Sequence, residues 1–343
     1  MKAAQIHLLR RPKQLSEDVF ELVTVNLPPL EDGEVLVRNR FMSVDPYMRR
    51  SMDESGADLD PWPIGGPLDG PAVGEVVESR HPGFRPGDIV ESMAGWQSHF
   101  ISDGTRLEPY LSPNTAIIRR VPQGSLGVRD FVGVLGIASQ TAYYGLHHAI
   151  TPPDHGTIVV SSAAGTVGSM VCQFARAAGL RVVASAGSDE KVRWLKEVLH
   201  VDAAFNYKRE AIGDALARLC PDGIDLVFEN ASPEHFSACL PLMNYGTTVA
   251  LAGFVSVYDS GGKVPNIENF EHVLDSFLTI RSFAVTDYAE HYDLFVQRVN
   301  ALRERGELVF KEQVFHGLAA APRALCSLFD GSSHGKVLVD LET

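Results

Sequence analysis

The stretch Ile158-Val159-Val160-Ser161-Ser162-Ala163-Ala164-Gly165-Thr166-Val167-Gly168 decides the fold of this 343-residue chain. It begins inside an apolar, β-branched run at residues 157–161, and residues 166–178 continue with the spacing of a helix. A glycine-containing turn between a strand and a helix is the context of a dinucleotide-binding fingerprint, here with Ala163 in place of the first glycine. A tight turn in any α/β protein remains the alternative interpretation of this motif taken alone.

The helix that follows the turn offers free N–H groups and the positive end of its dipole to phosphates. Gly165 would let a pyrophosphate approach the backbone, and Gly168 would let the helix pack against the strand. We therefore expect cofactor contacts from this turn, namely from Ala164, Gly165, Thr166, Val167 and Gly168.

The surrounding sequence predicts two kinds of domain. Apolar strand-like runs at residues 181–185, 202–205, 224–228 and 247–251 alternate with helical segments, which indicates a doubly wound parallel sheet with helices on both faces. Up to about residue 125 the chain reads instead as short strands interrupted by glycine and proline, and residues 336–341 form a terminal strand that can rejoin them. We predict a β-rich domain of residues 1–128 and 310–343, and a nucleotide-binding domain of residues 129–309.

The end of the second predicted strand indicates the type of cofactor. NAD enzymes usually carry Asp or Glu there to bind the ribose 2′-hydroxyl, whereas this chain reads Ala184-Ser185-Ala186-Gly187-Ser188. Lys191, one turn into the next helix, is placed to reach a 2′-phosphate, although a solvated helix lysine is the alternative. The missing acid and the present cation together favour NADP(H).

Composition excludes several other classes of protein. The formal net charge is −13, and an acidic surface repels phosphate backbones, so we expect no nucleic-acid partner. The four cysteines are widely spaced and no CxxC occurs, which suits a reducing cytoplasm. Residues 131–150 lack charged side chains but are too polar for a lipid-facing helix, and no secretory signal is recognisable. We expect a cytoplasmic protein that has no membrane partner.

Several longer strings resemble one enzyme family. They are Val44-Asp45-Pro46-Tyr47-Met48-Arg49, residues 162–169, residues 186–192 and Ala204-Phe205-Asn206-Tyr207-Lys208. The chain is similar over nearly its whole length to the medium-chain dehydrogenase/reductase superfamily, and within it to the zinc-independent prostaglandin reductase (leukotriene hydroxydehydrogenase) group, which includes curcumin and alkenal double-bond reductases. The resemblance implies a GroES-like, β-rich catalytic domain into which a Rossmann domain is inserted.

The resemblance also implies a set of cofactor residues outside the turn. Lys191 and Tyr207 would contact the 2′-phosphate and adenosine end, and Asn230 would lie near the nicotinamide half. The group has an asparagine where this chain has Ser333, which makes a contact from that loop less secure. The other residues implied are Ser188, Gly253, Tyr258, Phe283, Ala284 and Val285.

The chain lacks the zinc ligands of the superfamily. Zinc-dependent members carry a cysteine near the segment that reads here Met42-Ser43-Val44-Asp45, and a histidine where this chain has Asp69-Gly70-Pro71. We therefore expect no metal, so that hydroxyl donors must stabilise the negative charge that develops on a substrate carbonyl.

Two tyrosines are candidates for this catalytic role. Tyr258 comes first, by resemblance and because it follows a predicted strand. Tyr47 comes second, because Asp45-Pro46 is typical of a helix start with an acidic N-cap and a proline at the first helical position. A plain packing role remains the alternative for each.

The resemblance implies NADPH-dependent reduction of the C=C bond of α,β-unsaturated ketones or aldehydes, with hydride transfer to the β-carbon. A quinone oxidoreductase on the same scaffold, or an NADPH-binding protein with little turnover, are the alternatives. Homodimers are common in the family, and we expect dimerisation through the Rossmann edge near residues 250–285.

Overall fold

A computed structural model of the chain describes residues 1–54, 61–104, 118–121 and 127–342. The contacts divide the chain into two compact units. The first comprises Met1–Ile137, Tyr258–Gly262 and Glu312–Thr343, and the second comprises Ala138–Val257 and Lys263–Lys311. The units divide after residues 137 and 311, whereas the predicted domain boundaries fall after residues 128 and 309.

The N-terminal part of the first unit consists of short strands, because glycine and proline interrupt the chain every few residues. A single short helix follows the third strand. The elements within the described residues are β1 (Lys2–Leu8), β2 (Phe20–Asn26), β3 (Val35–Ser43), α1 (Tyr47–Arg50), β4 (Ala72–Ser79), β5 (Ile89–Ser92), β6 (His99–Ser102) and β7 (Ile118–Arg120).

The second unit alternates strands and helices, as its hydrophobic pattern predicts. Its strands are β8 (Thr157–Val160), β9 (Arg181–Ala186), β10 (Ala203–Asn206), β11 (Ile224–Glu229), β12 (Met243–Leu251) and β13 (Thr279–Ser282). Its helices are α2 (Ile137–Tyr144), which starts at the boundary, α3 (Thr166–Ala177), α4 (Asp189–Glu197), α5 (Ile212–Leu219), α6 (Pro233–Cys239), α7 (Glu271–Asp275) and α8 (Tyr292–Glu304).

The six strands of the second unit form one parallel sheet in the order β10-β9-β8-β11-β12-β13. In chain order, β8, β9 and β10 extend the sheet in one direction, and β11, β12 and β13 extend it in the other. This is the doubly wound Rossmann order, and ligands bind such sheets at the carboxyl ends of the strands where the order reverses. The carboxyl ends of β8 and β11 mark that point here.

The C-terminal part of the chain supplies β14 (Glu312–His316), α9 (Ala321–Ser327) and β15 (Lys336–Asp340). β15 pairs in parallel with β14 and antiparallel with β3, where Leu338 lies opposite Ser43. The resulting sheet of the first unit has the order β14-β15-β3-β4-β5-β7, and β6 pairs with β3 as well. The terminal strand thus lies in the sheet of the first unit.

The uncharged stretch at residues 131–150 is broken into short pieces. It contains α2 and a π-helical turn, Gly145–Ala149, in which His147 and His148 pack among aromatic rings. Among the described residues, no helix is both long enough and apolar enough to span a lipid bilayer.

Candidate nucleotide-binding and active site

The turn between β8 and α3 is shaped by a close approach at Gly168. A Cβ atom at this position would lie 2.5 Å from the carbonyl oxygen of Ser162 and 2.7 Å from the Cα of Ala163, so no side chain fits. Ser162 itself adopts a left-handed backbone with φ of 46°. The N–H of Ala163 donates to the carbonyl of Ser185 at 2.9 Å, which ties the turn to β9. The first turn of α3 therefore packs directly on the strand end, as the fingerprint requires.

A buried carboxylate lies beside this turn at the end of β11. Glu229 is fully buried, and its Oε1 accepts hydrogen bonds from the Ser161 hydroxyl at 2.8 Å and from the N–H groups of Ala231 and Ser232 at 2.7 and 2.9 Å. Its Oε2 lies 2.9 Å from Nδ1 of His235. Charged groups are buried only when they are paired and hydrogen-bonded, and Glu229 meets both conditions.

The partner imidazole continues the network to β9. Nε2 of His235 lies 3.0 Å from the Ser185 hydroxyl, so three neighbouring strand ends are linked through polar side chains. Burial opposes the charged form of His235, yet its pKa is raised because Cys239 and Glu229 lie beside the protonated ring. Burial also raises the pKa of the Cys239 thiol, which keeps it neutral, so the Glu229 carboxylate is the charge that stabilises the imidazolium.

Asn230 follows the buried glutamate directly. Its backbone N–H donates to the Ser161 hydroxyl at 2.8 Å, and its side-chain amide donates to the Ser161 carbonyl at 2.6 Å. The N–H of Ala252 donates to the carbonyl of Glu229 at 2.9 Å, which brings the Gly253 segment next to Asn230. The structure thus places the predicted residues Asn230 and Gly253 at neighbouring strand ends.

Cationic side chains converge at the ends of β9 and β10. The Ser188 hydroxyl caps α4 by accepting the N–H of Lys191 at 3.2 Å. A Cβ at Gly187 would lie 2.8 Å from the Tyr207 hydroxyl and 3.4 Å from Cε of Lys208, so the absent side chain makes room for both. Burial lowers the pKa of Lys191, and the positive charge of Lys208 lowers it further. Two lysines and a tyrosine therefore surround this strand end, and Lys208 was not singled out by the sequence analysis.

The first acid after this strand end is already bound. Asp189 forms an ion pair with Arg209 at 2.9 Å and accepts a hydrogen bond from the Asn206 amide at 2.8 Å. Asp189 is therefore a paired charge in the first turn of α4.

Three of the cofactor residues that the resemblance implies, Phe283, Ala284 and Val285, follow β13. The ring of Phe283 packs edge-on against Phe228, with ring centroids 6.3 Å apart. A Cβ at Gly145 would lie 2.4 Å from Cζ of Phe283, so this ring fills space against the π-helical turn. The N–H of Ala284 donates to the Asp287 carboxylate at 3.3 Å, and Val285 begins the next helical turn. A cofactor contact from Phe283, Ala284 and Val285 stays a prediction.

The first unit holds Tyr47 at the start of α1, but not by the predicted cap. Pro46 occupies the N-cap position, and no side chain caps the helix. The Asp45 carboxylate instead binds Nζ of the buried Lys336 at 2.5 Å and accepts from the Ser43 hydroxyl. The prediction that Asp45 caps the helix is wrong, because its carboxylate forms an ion pair with Lys336 of β15 instead.

The Tyr47 hydroxyl is a buried polar atom with no hydrogen-bond partner among the described residues. Burial raises the pKa of the phenol well above its ordinary value, and the carboxylates of Asp69 and Asp45 add to this effect. The phenol is therefore protonated at neutral pH and can donate a hydrogen bond.

Tyr258 lies in a 3-10 helix, Val255–Ser260, and belongs to the first unit. The Arg50 guanidinium lies over its ring, 5.5 Å from the centroid. Burial raises the pKa of the Tyr258 phenol, while Arg50 acts in the opposite direction.

The predicted site residues divide between the two units. The first unit contains Tyr47, Tyr258 and Ser333, whose N–H donates to the Ser327 carbonyl at 3.2 Å. The second unit contains the remaining cofactor residues. Sequence reasoning missed Glu229 and His235, although Glu229 directly precedes a predicted residue in the chain.

Metal-ligating side chains show no clustering in the described part of the chain. No group of three or more His, Cys, Asp or Glu is placed there to hold a metal ion.

Comparison with known proteins places the chain in a family. The model described as the N-terminal domain of oxidoreductase matches residues 4–110, and the one described as zinc-binding dehydrogenase matches residues 166–310. The 2-alkenal reductase (NADP(+)-dependent) of Nicotiana tabacum is 35% identical over 331 residues, covering 96% of this chain and 93% of that protein. The chain belongs to the medium-chain dehydrogenase/reductase superfamily, in its zinc-independent prostaglandin reductase and alkenal reductase group.

Further relatives agree with this membership. Prostaglandin reductase 1 of Sus scrofa is 35% identical over 332 residues, covering 93% of each chain. The crystal structure of CurA in complex with NADPH from Vibrio vulnificus superimposes with a TM-score of 0.90 at 31% identity, covering 99% of each chain. The predicted fold class is confirmed: a medium-chain reductase has a GroES-like β-rich part and a Rossmann part, which correspond here to the seven-stranded and the six-stranded sheet.

Proposed function

We propose that the protein reduces the C=C bond of α,β-unsaturated ketones or aldehydes with NADPH. The proposal rests on the relatives, which include an NADP-dependent alkenal reductase and a curcumin reductase, together with the site geometry. The single observation that carries the choice of NADPH is the pair of lysines at the end of β9, beside Gly187. When bound, NADPH supplies the hydride that adds to the β-carbon of the substrate.

The second unit fits an NADP dinucleotide. Gly168 lets α3 pack on the pyrophosphate turn, and Gly187 leaves room for the Tyr207 hydroxyl at the end of β9. The N-terminus of α3 faces the first of these places, and helix N-termini bind phosphates. Lys191 and Lys208 supply positive charge at the second, which favours a charged 2′-phosphate over a neutral 2′-hydroxyl.

Two tyrosine hydroxyls supply donors for the oxygen that becomes negative during hydride addition. Tyr258 is the first candidate, and Tyr47 is the second. Because the pKa of each phenol is raised, both are protonated at neutral pH and donate rather than accept. The unpartnered hydroxyl of Tyr47 strengthens its case as a donor, since a buried polar group without a partner is costly unless a ligand completes it.

The test is to incubate the protein with NADPH and panels of enones, enals and quinones, and to follow NADPH absorbance. With NADPH deuterated at the transferred position, an enone reductase yields a saturated ketone labelled at the β-carbon. Consumption of NADPH with quinones alone would replace this assignment by a quinone oxidoreductase. Binding of NADPH without oxidation by any panel member would support a binding protein.

We also propose a homodimer formed along the β13 edge. Among the described residues β13 pairs only with β12, so one side of this strand is open. Three large apolar side chains lie exposed nearby: Tyr245 at 73%, Leu274 at 74% and Phe277 at 67%. Sedimentation of the wild-type protein and of Leu274→Glu tests this, because a charge in the interface should release monomers. The cytoplasmic location remains a prediction.

A further inference from the structure

The segment Tyr258–Gly262 belongs to the first unit, although the chain on both sides of it belongs to the second. The carboxylate of Asp259 secures this segment. Its Oδ1 accepts from Nε of Arg49 at 2.7 Å and from the backbone N–H of Leu15 at 2.8 Å. The segment is thus attached to two separate parts of the first unit through one carboxylate oxygen.

Arg49 is a buried cation, with only 1% of its side chain exposed. Besides Asp259, its Nη1 binds Oδ1 of Asp53 at 2.9 Å, and its Nη2 donates to the Pro12 carbonyl at 3.3 Å. A planar guanidinium held by three partners in different directions has a fixed orientation. Because Arg49 is fixed in this way, the Asp259 carboxylate that it binds also has a defined position.

The next residue of the same helix contacts the preceding residue of the same segment. Arg50 covers the Tyr258 ring, while Arg49 holds Asp259. Tyr47 begins this helix, so α1 determines how both candidate tyrosines are placed within the first unit.

We propose that Arg49 and Asp259 are positioning residues for Tyr258, which hold its hydroxyl where the developing oxyanion is met. The proposal rests on the catalytic role of Tyr258 given under the proposed function. Neither residue needs to touch the substrate, because a displacement of the hydroxyl by about 1 Å is enough to cost up to roughly 100-fold in rate. Loss of the ion pair should lower kcat and leave the affinity for NADPH nearly unchanged.

Arg49 has two carboxylate partners, which provides a matched control. Asp259→Ala removes the partner that holds the Tyr258 segment. Asp53→Ala instead removes the local partner of Arg49, which lies four residues later in the chain. Each variant leaves the guanidinium with one carboxylate, so both should fold. We expect Asp259→Ala to lower kcat about tenfold, which is less than the full loss for a group displaced by about 1 Å. Asp53→Ala should lower kcat less than Asp259→Ala does, because Arg49 and the N–H of Leu15 still bind Asp259. Asp259→Asn should recover most of the rate, because its amide oxygen can still accept from Arg49 and Leu15.

A double-mutant cycle separates positioning from general destabilisation. If Asp259 acts through the tyrosine hydroxyl, Asp259→Ala should have no further effect on kcat in a Tyr258→Phe background. Equal losses in both backgrounds would overturn the proposal, as would equal losses from Asp259→Ala and Asp53→Ala.

Hydrogen exchange of the protein without cofactor tests the anchor independently of turnover. Backbone amides of residues 256–261 should exchange faster in Asp259→Ala than in wild type or Asp53→Ala, because the segment opens more readily. Unchanged exchange in Asp259→Ala would overturn the anchor itself. Wild-type turnover of Tyr258→Phe, with faster exchange in Asp259→Ala, would instead reject the catalytic role of Tyr258 and with it the positioning role, while the anchor would stand.

Discussion

The Nδ1 atom of His235 lies 2.9 Å from Oε2 of Glu229, and both side chains are buried at the carboxyl end of β11. Through Ser161 and Ser185 this pair joins the ends of β8, β9 and β11. The pair lies beside the turn predicted to bind the pyrophosphate, so it stabilises the strand ends on which the cofactor site is built.

The buried pair should make stability depend on pH. The pKa of His235 is raised above its ordinary value of 6.5, so the pair contributes fully below about pH 6.5 and its contribution is lost as the pH rises through the raised pKa. His235→Gln should cost about 3–5 kcal/mol near pH 6, the range for breaking a buried ion pair, and less near pH 10. Urea unfolding of both proteins at several pH values measures this difference.

The exposed His155 provides the control, because His155→Gln should change the free energy of unfolding by less than about 0.5 kcal/mol at every pH. A difference between wild type and His235→Gln that stays constant across this pH range would contradict a charged imidazole.

Removing a lysine at the end of β9 should discriminate between the two cofactors. Lys191→Ala should weaken NADPH binding by about 1.5–3 kcal/mol, the range for a charged hydrogen bond, and leave NADH binding nearly unchanged. Lys208→Ala should act in the same direction, since the two lysines are electrostatic neighbours. Lys196→Ala, an exposed lysine of α4, is the control. Calorimetric titration with both cofactors measures the effect, and equal losses for NADPH and NADH would reject the assignment.

The two tyrosines should respond differently to loss of the hydroxyl. Tyr258→Phe should lower kcat roughly tenfold or more, with little change in NADPH affinity. This is less than the loss for a sole oxyanion donor, because the ribose 2′-hydroxyl of the cofactor can donate as well. Tyr47→Phe should have a smaller effect on kcat and a larger effect on the KM for enones. Because the Tyr47 hydroxyl is buried without a partner among the described residues, its removal should not lower the free energy of unfolding. Wild-type rates for Tyr258→Phe with several enones would exclude its hydroxyl from the reaction.

A methyl group at Gly168 should disrupt the phosphate-binding turn. Its Cβ would lie 2.5 Å from a backbone oxygen, so Gly168→Ala should destabilise the protein and weaken NADPH binding. Gly213→Ala is the matched control in a helix, because nothing lies within 4 Å of a Cβ there. We expect that control to stabilise the protein by about 0.4–1 kcal/mol, the usual gain at a compatible site. Thermal unfolding with and without NADPH measures both variants, and an unaffected Gly168→Ala would contradict the close approach.

Turnover should not depend on a metal. Dialysis of the protein against a strong chelator should leave kcat unchanged, because the chain lacks the superfamily's zinc ligands near Ser43 and Gly70. A zinc-dependent alcohol dehydrogenase treated in parallel is the control. Loss of activity on dialysis, with recovery on adding zinc, would contradict this prediction.

The sequence by itself determined the fold of the second unit and its nucleotide turn. Strand and helix follow from hydrophobic periodicity over a few residues, and the need for glycine at position 168 follows from one local close approach. Lys191 was predicted from its place after a strand end that lacks an acid, and Tyr207 from the resemblance to the family.

Only the tertiary structure decided how the buried charges pair. Asp45 was predicted as a helix cap, but Lys336, which lies 291 residues away in the chain, binds its carboxylate. Arg49 and Asp259 lie 210 residues apart in the chain, and no local sequence pattern predicts their contact. Periodicity and capping act within a turn of chain, whereas the partner of a buried charge depends on which distant segments the sheets bring together. That physical difference explains why the sequence indicated the two tyrosines, while only the folded chain shows what holds them.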